Sequence, residues 1–142
     1  MPRTIYFSGS ISGGRLDVPL YRRIVDALEA DGHRVLAGNV TSDHVGDGGE
    51  AMDACAIFDR DLRWIDEADV LVAEVSMPST GVGYEIATAR YRRRMPVICL
   101  YRPAHTRRCT AMVAGDEGIH LIEYSDDSVA SMLASLSSAL GE

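Results

Sequence analysis

Two spacings of apolar residues share this chain, and each switch between them marks an element boundary. Thr4 to Phe7 opens a short apolar strand almost at once. Leu20, Ile24, Ala27 and Leu28 then recur at helical spacing and stop near Gly32. They predict a helix entered around Val18-Pro19, where proline suits a first helical position. His33 to Ala37 is a second, short strand. From about Glu50 to Ala68 the period is helical again, with Ala54, Phe58, Leu62 and Ile65 as the apolar stripe. Asp69 to Val75 is apolar at almost every position, as expected of a strand covered on both faces. A further helix runs to about Arg94, with Val82, Ile86 and Ala89 on one face. Pro96 to Tyr101 and Ile119 to Tyr124 supply two more strands. A last helix, capped by Ser125, buries Val129, Met132, Leu133, Leu136 and Leu140.

Strands alternating with helices predict an α/β fold, a parallel sheet with helices on both faces. Five strands suit a flavodoxin/Rossmann-like doubly wound sheet of order 2-1-3-4-5, in one domain over residues 1–142. Ligands of such sheets bind at the carboxyl ends of the strands, where the strand order reverses. Here that switch point lies between the first and third strands. It brings two connections together.

The first is Ser8-Gly-Ser-Ile-Ser-Gly-Gly14, whose amides and hydroxyls can wrap a phosphate. It is neither GxGxxG nor a Walker loop, and a plain flexible connection has the same look. The second is Ser76-Met-Pro-Ser-Thr-Gly-Val-Gly-Tyr-Glu85, a strand-to-helix turn. Ser79 and Thr80 offer hydroxyls, Gly81 and Gly83 allow close approach of an anion, and the new helix points free N–H groups there. Glu85 is placed in the first helical turn, where the dipole favours an ionised carboxylate. Acidic residues also decorate ordinary helix starts. Asp61 is out of place in another way: it projects within the stripe that holds Phe58 and Ile65. A carboxyl there should be desolvated and suited to proton transfer, or else paired with an arginine or a backbone N–H.

Two long connections remain. Gly38 to Gly49 is a polar loop, read as a lid over the site. Arg102 to Gly118 holds one expected helical turn, around Thr110 to Val113. Arg90, Arg92, Arg93 and Arg94 fit a solvated helix end better than a nucleic-acid patch.

Composition narrows the function. Hydrophobic residues make up 46% of the 142, enough for a core. A net charge of −7 argues against binding to duplex nucleic acid but allows a small anionic ligand. Cys55, Cys99 and Cys109 form no CxxC pair, and the four histidines are scattered, so neither a disulfide framework nor a metal site is expected. No apolar run is long enough to span a bilayer and no signal peptide precedes the first strand, which points to a reducing cytoplasm.

Six motifs, in order along nearly the whole chain, carry a family resemblance. They are Tyr6-Phe-x-Gly-Ser-Ile-x-Gly-Gly-Arg15, Asp61-Leu-x-Trp64, Ala68-Asp-Val-x-Val-Ala-Glu-Val75, Pro78-Ser-x-Gly-Val-Gly-Tyr-Glu85, Leu100-x-Arg-Pro103 and Ala111-Met112. The chain resembles the 2′-deoxynucleoside 5′-phosphate N-hydrolases of the nucleoside 2-deoxyribosyltransferase superfamily. The resemblance implies Glu85 as the nucleophile on C1′ of the sugar, Tyr6 as its hydrogen-bonding partner, and Asp61 as the group that handles the proton on the leaving base. It implies a 5′-phosphate held by Ser10, Ile11, Ser12, Gly13, Ser79 and Gly81. Thr110, beside Ala111 and Met112, would complete the site of a neighbouring subunit in a homodimer. Thr110 stands where the family has serine, and Ser12 where it has arginine, which removes one cationic phosphate partner. No metal or organic cofactor is implied.

The chemistry is coherent: a carboxylate nucleophile and a proton donor to the leaving atom are what a retaining glycosidic cleavage requires. Two other readings compete. A nucleoside 2-deoxyribosyltransferase would pass the sugar to another base and use substrates without phosphate. A non-catalytic nucleotide sensor would keep the loops but would not need both Asp61 and Glu85.

Overall fold

The computed structural model describes residues 1–11, 17–38, 40, 52–103 and 108–141. Five strands form one parallel sheet: β1 (Thr4–Ser8), β2 (Arg34–Leu36), β3 (Val70–Glu74), β4 (Val97–Tyr101) and β5 (Ile119–Glu123). Their order is β2-β1-β3-β4-β5, the flavodoxin-like order expected from the sequence. The helices are α1 (Val18–Ala30), α2 (Ala54–Glu67), α3 (Thr80–Ala87), the single turn α4 (Ala111–Ala114) and α5 (Val129–Leu140).

Residue parity along each strand decides which helices it meets. Ile5, Phe7, Val70, Val72, Ile98 and Leu100 pack with Tyr21, Ile24 and Leu28 of α1 and Met132 and Leu136 of α5. The alternate residues Tyr6, Leu71, Ala73, Val97 and Cys99 pack with Ile65 of α2, Val82 and Ile86 of α3, and Val113 of α4. Fully burying a side chain such as Leu71 or Ile65 contributes roughly 1.5–3 kcal/mol, so a register slip of one residue would invert both faces at large cost. Tyr6 pairs with Leu71 and Ser8 with Ala73. The loops leaving β1 and β3 therefore emerge side by side at the switch point.

The helix ends depart from the periodicity. Asp53 caps α2 by accepting from the Ala56 N–H at 2.9 Å, so the helix begins at Ala54 rather than near Glu50. Only the carboxyl half of α2 seats in the core: Ile65 is buried, whereas Ala54 and Phe58 are exposed. Instead, the Phe58 ring meets Tyr84 of α3 edge-on, with centroids 6.2 Å apart. Beyond Ala87 the chain makes a π-helical turn over Thr88–Arg92, and Arg94 at φ 51° stops it.

Arg92, Arg93 and Arg94 are exposed, as a solvated helix end should be, and Arg90 and Arg93 also find acidic partners. Arg90 grips Asp116 with two hydrogen bonds of 2.8 and 2.6 Å, and Arg93 lies 3.5 Å from Asp66. Gly118 makes room for that grip, since a Cβ there would stand 2.2 Å from the Arg90 guanidinium. At the other end of the molecule Ser125 and Ser128 form a reciprocal capping box that leads into α5. Most of the 38–49 loop read as a lid, and Ser12 and Gly13 of the first Gly/Ser loop, lie outside the described residues.

Candidate active site

β1 presents Tyr6 and Ser8, two residues apart, to the face covered by α2 and α3. Both are buried. Their hydroxyls converge on one carboxylate: Tyr6 donates to Oε2 of Glu85, and Ser8 donates to Oε1 at 3.0 Å. Ser8 was read from the sequence only as the start of a phosphate loop. The signal for its second role was its spacing from Tyr6, which puts both hydroxyls on one side of the strand.

Glu85 is not in the first helical turn. Ser79 is the N-cap, its Oγ accepting from the Val82 N–H at 3.3 Å, so Glu85 is the sixth residue of α3. The dipole of the helix start is too far away to govern its charge. Burial dominates instead and lifts its pKa from 4.5 to about 7; the Asp61 charge adds to the rise, while the Tyr6 and Ser8 hydrogen bonds and Arg60 oppose it. The same surroundings, burial first and then the charges of Glu85 and Asp61, push the Tyr6 phenol far above its ordinary range. Tyr6 therefore stays a neutral donor.

Asp61 stands close enough to act on both groups electrostatically. Its side chain is one-fifth exposed, at 19%, and is gripped by its neighbour Arg60, with Nη2 at 2.9 Å and Nε at 3.0 Å from Oδ1. Arg60 in turn lies over the Trp64 ring, 4.8 Å from its centroid. Of the two sequence expectations for Asp61, this is the arginine partner, yet its charge still reaches Glu85 and Tyr6 and raises the pKa of both. Arg60 itself carried no signal beyond its place beside Asp61.

The two connections expected to hold an anion lie beside this cluster. Ser10 is buried, and its backbone N–H bonds to the Tyr21 hydroxyl. Gly9 must be glycine, since a Cβ would come within 2.8 Å of the Tyr21 ring. Ile11 packs partly buried against the core between the sheet and helices α1 and α5. Across the switch point the Ser79 hydroxyl, although it caps α3, keeps its own O–H free to donate. A Cβ at Gly81 would meet only Ser79 Oγ, at 3.9 Å, so the backbone there is open to an approaching ligand.

Thr110 and Met112 do not join Glu85. They are exposed, Met112 at 83%, and line a cavity of about 1150 Å³ with Ser79, Thr80, Gly83 and Tyr91. This cavity takes in neither Glu85 nor Tyr6 nor Asp61. Within one chain, then, the Glu85–Asp61 pair and the Thr110–Met112 wall are separate groups that meet only at α3. Among the described residues no three His, Cys, Asp or Glu side chains cluster as a metal site would require, and no helix is long and apolar enough to cross a membrane.

A family model described as nucleoside 2-deoxyribosyltransferase matches residues 5–126. The chain belongs to this family. It is similar to the 5-hydroxymethyl-dUMP N-hydrolase of Danio rerio, at 42% identity over 91% of this chain and 92% of the relative. The mouse protein of the same name, from Mus musculus, is 40% identical over 94% of this chain and 79% of its own length. Among solved structures, a CMP N-glycosidase of Clostridium botulinum superposes with a TM-score of 0.64 at 18% identity, covering 94% of this chain and 98% of that one. A 2-deoxyribosyltransferase of Bacillus psychrosaccharolyticus gives 0.59 at 19% identity, covering 91% and 95%. These two structures share the fold with this nucleoside 2-deoxyribosyltransferase family member.

Proposed function

We propose that this protein is an N-glycosidase that hydrolyses 2′-deoxynucleoside 5′-monophosphates to the free base and 2-deoxyribose 5-phosphate. The observation that carries the reading is Glu85, held by the Tyr6 and Ser8 hydroxyls and facing Asp61 at the switch point of the sheet. A carboxylate oxygen of Glu85 attacks C1′ while the N-glycosidic bond breaks and its electron pair leaves with the base. Asp61 enters the reaction protonated, gives that proton to the departing nitrogen, and is reprotonated by the water that attacks C1′ of the glycosyl-enzyme. Glu85 departs as a carboxylate, and the configuration at C1′ is retained.

Ser10, Ile11, Ser12, Gly13, Ser79 and Gly81 hold the 5′-phosphate. The match to relatives named N-hydrolases of a deoxynucleoside monophosphate supports this assignment. The direct test is incubation with a panel of deoxynucleoside monophosphates, including 5-hydroxymethyl-dUMP, beside ribonucleotides and free deoxynucleosides, with chromatography of released base. Release from monophosphates and not from free nucleosides is expected; equal release from both would sink the phosphate assignment. The family name also favours a transferase reading. It is tested in the same tubes by adding a second base, and sugar transfer to that base would displace hydrolysis as the function.

The chain acts as one domain and as a homodimer in the cytoplasm, Thr110 and Met112 of one subunit reaching the phosphate site of the other. The exposure of both residues, and their distance from their own Glu85, support this arrangement. Light scattering at assay concentration should give twice the 15.4 kDa chain mass. A fully active monomer would refute it.

A further inference from the structure

The sheet holds a second buried polar cluster, on the opposite face from Glu85, which the proposed chemistry does not use. Arg102 follows the last residue of β4 and is 4% exposed in its side chain. Its backbone N–H donates to Ser76 Oγ at 2.9 Å, and its Nε lies 3.3 Å from that oxygen and 3.4 Å from Glu74 Oε2. One terminal nitrogen reaches Asp17 Oδ2 at 2.6 Å, and the other reaches Asp126 Oδ1 at 3.3 Å. Glu74 also accepts from the Ser76 N–H at 2.7 Å, from Ser76 Oγ at 3.0 Å and from the Tyr124 hydroxyl.

The two ends of this cluster matter. Ser76 opens the turn that carries Ser79 and Gly81. Asp17 closes the connection that carries Ser10 and Ile11, immediately before α1. One guanidinium therefore ties together the bases of both phosphate loops, on the face of the sheet opposite the Ser8–Glu85 hydrogen bond that also joins them. Arg102 does not serve as the phosphate's own cation: its nitrogens are committed to carboxylates and Ser76, and it is sealed from solvent.

We propose that Arg102 is a positioning residue that locks the two anion loops at the separation a 5′-phosphate needs, acting through Asp17 on one loop and Ser76 on the other. The inference rests on the phosphate-dependent function above. A planar, forked cation suits the task, since one rigid group fixes partners in several directions at once. Loops held in place also lose less freedom on binding the anion.

Asp17→Ala tests this in the full-length chain. Asp17 precedes α1 without making a side-chain capping bond, so its removal cuts the lock without uncapping the helix. Positioning groups of this kind typically act over about 10–100-fold. We expect Asp17→Ala to bind 2-deoxyribose 5-phosphate about tenfold more weakly by calorimetry. The ratio of kcat/KM for a deoxynucleoside monophosphate over its dephosphorylated form should fall by a similar factor. Asp126→Ala, which removes a contact to the exposed end of the cluster, should change either quantity by less than about twofold. Unchanged sugar-phosphate binding in Asp17→Ala overturns the proposal. So does an equal loss for monophosphate and nucleoside, which marks a merely structural part. A wild-type chain that binds the sugar phosphate but releases no base fails as a hydrolase, while tenfold weaker binding in Asp17→Ala still upholds the lock.

Discussion

Glu74 and Glu85 both stand at the carboxyl edge of the sheet, and each receives a tyrosine hydroxyl and a serine hydroxyl. Tyr124 and Ser76 donate to Glu74; Tyr6 and Ser8 donate to Glu85. Burial pushes both carboxyls up. What separates them is the remainder of the shell. Glu74 is completely buried, and its oxygens also take the Ser76 N–H and Arg102 Nε. Glu85 has one donor on each oxygen and is only partly buried. Similar donors thus make one carboxylate a fixed part of the frame and leave the other with lone pairs to offer. The proposed role of Glu85 as nucleophile draws on what is left unsatisfied.

If that contrast is right, removing each charge breaks different things. Glu85→Gln should lower kcat for base release by about a thousandfold or more, equivalent to about 4 kcal/mol of barrier, with the fold intact by circular dichroism. It should also alter the pH dependence of stability. Because the folded pKa of Glu85 is raised from 4.5 to about 7, the folded state holds a proton that the unfolded state has lost between those values. Wild-type stability therefore falls as pH rises from 4.5 towards 7, and the Gln variant should lack this fall. Near-wild-type turnover would remove Glu85 from the chemistry.

Glu74→Ala should do the reverse. It strands Arg102 with only part of its counter-charge, and breaking a buried ion pair from one side costs about 3 kcal/mol. Denaturant melts should show this loss. Unchanged stability would mean that Asp17 and Asp126 suffice to hold the guanidinium.

Tyr6→Phe comes next in size. Phenylalanine keeps the ring in the face packed by Leu71 and Ile65 and removes only the hydroxyl. A hydrogen bond to a charged group contributes roughly 1.5–3 kcal/mol, so kcat/KM near neutral pH should fall about ten- to a hundredfold. A fall of less than twofold would show that Ser8 alone can hold Glu85.

The contrast also explains what could be read in advance. Apolar runs identified the strands, most clearly the central β1, β3 and β4, which are buried along nearly their whole length, while the edge strands β2 and β5 keep exposed residues. The order came from the doubly wound topology that alternating strands and helices imply. Tyr6, Asp61 and Glu85 stood out as parts of spaced motifs, and the fold brings them together. The charge state of Glu85 did not stand out. It turns on which residue caps α3, and Ser79 places Glu85 a full turn deeper than the glycines suggested. The Phe58 end of the α2 stripe was misread for a related reason: period identifies a face, not whether anything covers it. The Arg102 lock joins residues 17, 74, 76, 102 and 126, which lie far apart in sequence and share no spacing. A glutamate closing an otherwise apolar strand was its one local sign.

The smallest effect expected is that of Ser8→Ala, and it separates the two glutamates most sharply. Ser8 donates to Glu85 Oε1 at 3.0 Å, and this bond favours the ionised form, holding the pKa below where burial alone would put it. Removing the hydroxyl leaves Tyr6 in place, so Glu85 should lose only one of its two restraints. Its pKa should therefore rise above the wild-type value of about 7. In kcat/KM, which reports groups of the free enzyme, activity climbs as pH rises through that pKa and the nucleophile ionises. The limb should move to higher pH in Ser8→Ala. The deficit would then be several-fold at pH 7, of the order of one hydrogen bond or about 1 kcal/mol, and would shrink at pH 9, where Glu85 is ionised in both proteins. Ser76→Ala removes the equivalent donor from Glu74 and should leave this limb in place, because Glu74 takes no part in the reaction. Superimposable profiles for wild type and Ser8→Ala would show that Ser8 does not tune Glu85.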